Sequence, residues 1–230
     1  MKDFCVLGAG IAGSTIAKLL SKNYSIEVFD KAKGLGGRSS NRRYKKNQSF
    51  DHGAQYISPK NKEFIKFVLN MKNRNILKEW KGNHIDLFKK QVEKKPVKYV
   101  GRKGNNDICK YLLKGIKVNL SSAIKSIKFR SNYWIITLNS GKKTEFKNLI
   151  LTCPFPQAIK LAKPYIEKKI SKLKVLMEPN ITVMAVYKNN KNFPYSSIKL
   201  DDKIISWIAN ENSKKRFKTN HLLFTLQSNL

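Results

Sequence analysis

The chain has 230 residues, 41% of them hydrophobic, with 47 Lys and Arg against 15 Asp and Glu for a formal net charge of +32. A chain of this length and apolar content is enough for about one or two domains, and apolar runs recur from end to end, which excludes wholesale disorder. No apolar stretch approaches the roughly 20 residues that span a bilayer, and Cys5, Cys109 and Cys153 are too few and scattered for a disulfide framework or, with His52, His84 and His221, for a zinc site.

Lysine carries almost all of the positive charge, since arginine stands only at 38, 42, 43, 74, 102, 130 and 216. The lysines are dispersed and form no tail. Specific readers of nucleic acid lean on the arginine fork. The charge therefore reads first as a solvated surface, with steering of anionic ligands and nucleic-acid binding as the lesser readings, and no specific nucleic-acid partner is expected. The opening apolar run, Phe4 to Leu7, stops at Gly8 and is too short for the core of a signal peptide. A cytoplasmic protein is expected.

In chain order, the first thirty residues read as strand, helix, strand. Phe4 to Leu7 is apolar; Ile11, Thr15, Ile16, Leu19 and Leu20 recur at helical spacing over 11–22; Ser25 to Asp30 is a second strand. An amphipathic helix over 61–72 turns Phe64, Ile65, Phe67, Val68 and Met71 to one side. Strands are predicted at 76–80, 84–90 and 97–101, then a helix from about Asn105 to Leu113. A meander occupies 116–120, 123–130, 132–139 and 143–151, with Asn139-Ser140-Gly141 as a turn. Residues 154–174 form two short helices broken at Pro164, and apolar strands follow at 180–187, 203–209 and 221–227. A single parallel βα series would not generate so many meandering strands. The pattern predicts an α/β chain, α+β overall: a Rossmann-type dinucleotide-binding domain (1–75 and 97–165) interleaved with a smaller mixed-sheet substrate domain (76–96 and 166–230).

Gly8-Ala9-Gly10-Ile11-Ala12-Gly13 matches G-x-G-x-x-G directly after a strand and at the mouth of a helix. Gly8 allows the tight turn, Gly10 lets a pyrophosphate approach the backbone, and Gly13 lets helix and strand pack closely. Phosphates would then sit on free N–H groups at the positive end of the helix dipole. A P-loop is excluded because Ser14 stands where that motif requires lysine. Asp30 ends the second strand, where an acidic side chain accepts hydrogen bonds from the ribose hydroxyls of an adenine dinucleotide.

The choice of dinucleotide comes from Lys31 to Ser40, which holds Gly34, Gly36 and Gly37 and ends in the cation Arg38. A nicotinamide domain has no need of a second glycine cluster. FAD is longer and lies extended, so more backbone must come close to it, and Arg38 would balance its pyrophosphate. In Asp51-His52-Gly53-Ala54-Gln55-Tyr56 the small residues 53 and 54 can lie against a planar ring, while Gln55 and Tyr56 bring hydrogen-bonding groups. His52 reads as structural. Cys5 reads as packing, and nothing in the sequence activates Cys153.

Together these segments resemble the renalase family within the flavin-containing amine oxidases. The resemblance covers essentially the whole chain. It includes Tyr99-Val100-Gly101, Leu151 to Gln157, and Ile205-Ser206-Trp207-Ile208-Ala209-Asn210 running on to Lys215. It implies a two-domain flavoprotein that oxidises isomeric dihydropyridine forms of NAD(P)H and passes the electrons to oxygen as hydrogen peroxide. It further implies that Asp30 holds the adenosine ribose, that Ala12, Gly37 and Arg38 meet the pyrophosphate region, and that Lys31 belongs to the same cofactor-binding set. Gln55 and Tyr56 would lie near the flavin, and Ile124 would hold the adenine through its backbone. Family members run on for about another hundred residues, including a glycine-rich G-D segment, so the chain is expected to lack the C-terminal part of the flavin site. Trp207, Asn210 and Lys214 are substrate-pocket candidates beside Gln55 and Tyr56, with Asn210 and Lys214 placed to reach substrate phosphates or the nicotinamide amide. No catalytic acid or base is assigned, since the cofactor would carry the reactivity. Three alternatives stay open: a flavin amine oxidase or desaturase acting on a small amine or isoprenoid, a basic anion-binding protein whose Rossmann unit is vestigial, and a non-catalytic truncated remnant.

Overall fold

The computed structural model describes residues 1–45, 47–87, 89, 91–92, 96–188 and 192–229. The first half of the chain runs β1 (Lys2–Leu7), α1 (Ile11–Leu20), β2 (Ile26–Phe29), β3 (Asn41–Lys45), β4 (Gln48–Asp51), α2 (Lys62–Asn73), β5 (Leu77–Glu79), β6 (Asn83–Asp86), β7 (Gln91–Val92), β8 (Tyr99–Gly101) and α3 (Asp107–Leu112). The second half runs β9 (Lys117–Asn119), β10 (Ile124–Arg130), β11 (Tyr133–Leu138), β12 (Lys143–Leu151), α4 (Phe155–Ala162), α5 (Lys168–Ser171), β13 (Thr182–Tyr187), β14 (Tyr195–Lys199), β15 (Ile205–Asn210) and β16 (Leu222–Ser228). Among the described residues no helix is long and apolar enough to cross a membrane.

Two compact units result, each built from two stretches of chain: 1–37 with 109–177, and 38–108 with 178–230. The first unit carries a six-stranded sheet in the order β10-β11-β12-β1-β2-β9. Its centre is parallel, with β1 between β12 and β2, and β9 beyond β2. Both faces are covered, so β1 and β2 read as continuous apolar runs without alternation. Cys5, Leu7 and Phe29 pack with Ile136 and Phe146 on one face, while Val6, Ile26 and Val28 pack with Ala17 of α1 on the other. The antiparallel meander closes at Ser131 and Asn132, both left-handed (φ 50° and 66°), and at Gly141 (φ 84°) in the expected Asn-Ser-Gly turn.

The second unit holds a mixed six-stranded sheet, β13-β16-β15-β14-β6-β7, in which β6 and β14 run parallel. The hairpin β3–β4 and the pair β5–β8 accompany it. In α2, the Asn61 side chain accepts the Phe64 N–H at 2.7 Å and caps the helix, while Val68 and Met71 are buried.

The partition differs from the sequence expectation. Segments 38–75 and 97–108 belong to the second unit: Asp51 at the end of β4 is bonded to Lys214 and Arg216, and β8 pairs with β5. Residues 166–177 belong to the first unit, where Ile166 packs on its core. The strand expected at 84–90 is β6 at 83–86, and the rest of that span touches residues 88 and 90, which lie outside the described residues. The hairpin β3–β4 and strand β14 were not anticipated.

Candidate functional site

In the first unit the glycine turn is held from three sides. Gly8 has φ 113° and donates its N–H to the Phe29 carbonyl at 2.8 Å. A Cβ at Gly13 would collide with the Gly8 carbonyl, so only glycine lets α1 sit this close to β1. Thr152, just past β12, donates its hydroxyl to the Leu7 carbonyl at 2.8 Å and closes the turn from behind. Gly10 caps α1 with an extended backbone and no side-chain cap, and the first intrahelical acceptance is Ser14 N–H to Gly10 carbonyl at 2.9 Å. The N–H groups of residues 11–13 therefore have no helical acceptor, and no acid occupies the first turn.

The second glycine cluster lies along the first. Gly36 donates to the Ala9 carbonyl at 3.0 Å, and Gly10 and Gly36 form a parallel bridge. Gly37 (φ 53°) stands over Gly10, where a Cβ would come within 3.2 Å of the Gly10 Cα. Asp30 braces the assembly: Oδ2 accepts the Ala9 N–H at 2.7 Å and Oδ1 the Ala32 N–H at 2.8 Å. Each oxygen keeps a second lone pair for a hydroxyl donor. Ala12 and Lys31 are exposed, and Ile124 is half-buried at the start of β10, packed on the core. This strip of approachable backbone, unpaired N–H groups and an acid at the strand end fits an adenine dinucleotide pyrophosphate.

In the second unit the 51–56 loop is organised from inside. A Cβ at Gly53 would collide with the Arg38 carbonyl, which itself accepts the Ala54 N–H at 2.8 Å; the Arg38 residue is exposed. Gln55 was expected to offer its carboxamide to a ligand. Instead it is buried, donates to the Asp51 and Gly53 carbonyls, and sets Oε1 3.4 Å from Lys214 Nζ. Tyr56 packs against Trp207 (centroids 5.6 Å) and Trp80 (6.4 Å), with Lys98 Nζ 5.0 Å from its ring. The Trp207 indole N–H is enclosed without an acceptor among the described residues. Asn210 is buried and accepts the Asn212 N–H at 3.1 Å, capping the short 3-10 turn 211–214. His52 Nε2 bonds Ser40 Oγ at 2.9 Å; burial and then Arg42 lower its pKa, in keeping with a structural imidazole. Burial pushes the Cys5 and Cys153 thiols up, so neither is an activated nucleophile.

Sequence reasoning missed a buried ionic quartet. Lys214 was a candidate for substrate phosphates, yet it is 1% exposed, with Nζ 2.8 Å from Asp51 Oδ2 and 3.0 Å from Glu211 Oε1. Arg216 Nη1 also donates to Asp51 Oδ2, its Nε to the Gly101 carbonyl at 2.9 Å and its Nη2 to Asn105 Oδ1 at 3.0 Å. The other Asp51 oxygen accepts Asn41 Nδ2 at 2.9 Å and the Asn105 N–H at 3.0 Å. Burial opposes the charge on Asp51, but Lys214 and Arg216 outweigh it and hold the carboxyl well below the usual range. Glu211 goes the other way: burial, reinforced by Asp51, raises its pKa, and among the described residues its Oε2 has no hydrogen-bond donor. The quartet ties the ring-facing candidates 53–56 to the 211–216 segment. The only sequence signal was Glu211, Lys214 and Arg216 crowded after an apolar strand.

Residues 6–69 match the model of an NAD(P)-binding Rossmann-like domain. Over 172 residues, 70% of the chain, the sequence is 30% identical to renalase of Mus musculus, of which it covers 49%. Over that stretch the chain is similar to renalase. It spans about half the length of that mouse protein, and it is also 25% identical over 236 residues to an uncharacterized protein of Methanocaldococcus jannaschii, covering 84% of this chain and 63% of the other. Among solved structures, a putrescine oxidase double mutant superposes with a TM-score of 0.72 at 12% identity, covering 99% of this chain and 75% of that one. A putative protoporphyrinogen oxidase from Exiguobacterium does so with a TM-score of 0.71 at 10% identity, covering 99% and 77%. At those identities the likeness of this chain to the oxidases is one of fold.

Proposed function

We propose that the protein binds FAD and works as a renalase-like oxidase, oxidising isomeric dihydropyridine forms of NAD(P)H in the cytoplasm. The observation that carries this reading is the paired glycine strip of the first unit, with its unpaired α1 N–H groups and Asp30. Bound FAD would accept a hydride from the reduced pyridine, releasing NAD(P)+, and oxygen would then take the electron pair and two protons as hydrogen peroxide. The residues at 8–13 and 36–38 would hold the pyrophosphate, Asp30 the ribose, and Ile124 the adenine. The 51–56 loop, stiffened by the buried quartet, would present Gly53, Ala54 and Tyr56 toward the ring. Tyr56 and Trp207 would exclude water from the substrate, and the unpaired Trp207 N–H would meet a carbonyl such as a carboxamide.

An anionic nucleotide suits these residues better than an amine. Lys98 sits 5.0 Å from the Tyr56 ring centroid, on an aromatic face that an ammonium substrate would need, and the net charge of +32 repels cations while attracting phosphates. The test is an absorption spectrum of the purified protein after incubation with FAD, followed by oxygen uptake with dihydropyridine isomers of NADH and NADPH against a panel of primary amines. A flavin spectrum and uptake with the dihydropyridines alone are expected. A protein that stays colourless, or turns over amines only, would overturn the reading.

A further inference from the structure

We propose that the cleft at one end of the mixed sheet, between the starts of β6, β14 and β16, is a nucleotide-binding site that takes the phosphates on Lys81 and Lys215. The cleft lies within the second unit and has a volume of about 630 Å³, in the range of small-molecule sites. Its walls are fixed by side-chain amides bonded to backbone. Asn83 Nδ2 donates to the Pro194 carbonyl at 3.3 Å, Asn212 Nδ2 donates to the His221 carbonyl at 2.8 Å, and Asn212 Oδ1 accepts the Leu223 N–H at 2.9 Å. With Asn210 capping the adjoining turn, these bonds tie the chain at 194 to β6 and the chain at 221–223 to the 211–214 turn.

The charges around it are arranged differently. No carboxylate lines the cleft, and among the described residues the side chains of Lys81, Lys215 and His221 make no hydrogen bond or close ion pair; the nearby Glu79, which Lys81 helps to keep below its ordinary pKa, stands outside the lining. Lys215 holds a left-handed backbone (φ 49°, ψ 47°), where glycine would be the low-strain choice. It is the C-cap of the 211–214 turn and donates its N–H to the Asn212 carbonyl at 2.9 Å, so its backbone is fixed at the lip of the cleft. The phosphate role expected of Lys214 thus passes to its neighbour, since Lys214 is locked inside the quartet. Phe193 adds an apolar wall for a planar ring, set edge-on to Tyr195 at 5.7 Å and to Phe224 at 5.0 Å. Cations in a carboxylate-free hollow beside an aromatic wall select a ring-bearing phosphate compound. That this nucleotide is the pyridine substrate rests on the proposed function; the site itself does not.

The test is calorimetric titration of the full-length protein, kept saturated with FAD, with ADP-ribose and separately with inorganic pyrophosphate. Wild type is compared with Lys81→Ala/Lys215→Gly and with a charge-matched control, Lys125→Ala/Lys128→Ala, on exposed positions of β10. Saturable binding of ADP-ribose, tighter than that of pyrophosphate, is expected. The cleft variant should lose about tenfold per lysine, about a hundredfold in all, although glycine relaxes the backbone at 215; the control should stay within about twofold of wild type. Equal losses in both variants, no loss in the cleft variant, or equal affinity for pyrophosphate and ADP-ribose would overturn the proposal. Loss of ADP-ribose binding in the cleft variant of a protein that oxidises no dihydropyridine would sink the proposed function and leave the site standing.

Discussion

Replacing Lys214 by methionine should destabilise the second unit more than any exposed lysine substitution. The ammonium is the one hydrogen-bonded cation of Glu211, whose remaining contacts are the Thr225 hydroxyl at 2.8 Å and Arg216 Nη1 at 3.8 Å. Asp51 keeps Arg216, so the loss falls on Glu211, a carboxylate with 0% exposure. Breaking a buried pair by removing one partner costs about 3–5 kcal/mol. For a chain of this size that lowers Tm by on the order of 10 °C. Adding Glu211→Gln should recover most of the loss, because the Asp51–Arg216 pair that remains is neutral and the amide can still bond Thr225.

The pH dependence gives an independent check by differential scanning calorimetry. Glu211 is raised above its ordinary value of 4.5, so its contribution is fully present below that value and is lost as pH rises. Asp51 is depressed below 3.8, so its contribution is present above that value and is lost as pH falls. Without Lys214 the Glu211 carboxyl rises further, and the deficit of Lys214→Met should shrink as pH is lowered from neutrality and Glu211 takes up a proton. A single variant within about 1 kcal/mol of wild type, a double variant whose cost is the sum of the two singles, or a deficit independent of pH would refute the charge-network account.

Gly13→Ala should both destabilise the protein by at least about 1–3 kcal/mol and abolish FAD retention, since the new Cβ meets the Gly8 carbonyl; denaturant melts and the flavin absorbance of the purified protein read the two effects. Arg38→Ala should lower FAD affinity about tenfold or more while leaving the melt unchanged, because only the backbone of Arg38 is used in the fold; unchanged flavin content would remove Arg38 from the pyrophosphate. Asp30→Ala strips the acceptors of the Ala9 and Ala32 N–H groups. It should cost about 1–3 kcal/mol and loosen FAD, whereas Asp30→Asn should keep much of the fold and still bind FAD more weakly.

What was legible in the sequence was whatever backbone geometry dictates locally. Gly8, Gly10 and Gly13 stand at their spacing because a tight turn and a helix–strand contact need them there, and the contacts at Gly13 leave no room for any other residue. The meander and the helix break at Pro164 follow from turn chemistry and φ restriction in the same way. The β3–β4 hairpin was not legible: Asn41 to Lys45 carries three cations and no alternation, and pairing with the largely buried β4 makes it a strand. Nor was the quartet, in which Asp51 and Lys214 stand 163 residues apart and only tertiary structure joins them. Gln55 illustrates the limit. Its place in the loop was expected, but its direction was set by Lys214 and by carbonyls of its own loop.

The excess of lysine takes a different meaning once burial is known. Among the described residues the buried carboxylates are Glu27, Asp51, Asp86 and Glu211, and each has a lysine or arginine in contact. The few acids are therefore kept where an unpaired partner would be most costly, while the surface runs positive. Such a surface raises the local concentration of phosphate compounds but is screened beyond about 8–10 Å at physiological salt and specifies no ligand. Specificity needs cations fixed in shape. The glycine strip supplies that with backbone N–H groups, whose direction is indifferent to surface composition. The cleft supplies it with Lys81 and Lys215 set into asparagine-stitched walls. The two sites use different donors for the same anionic chemistry, so a lysine-poor relative would retain the first and lose the second.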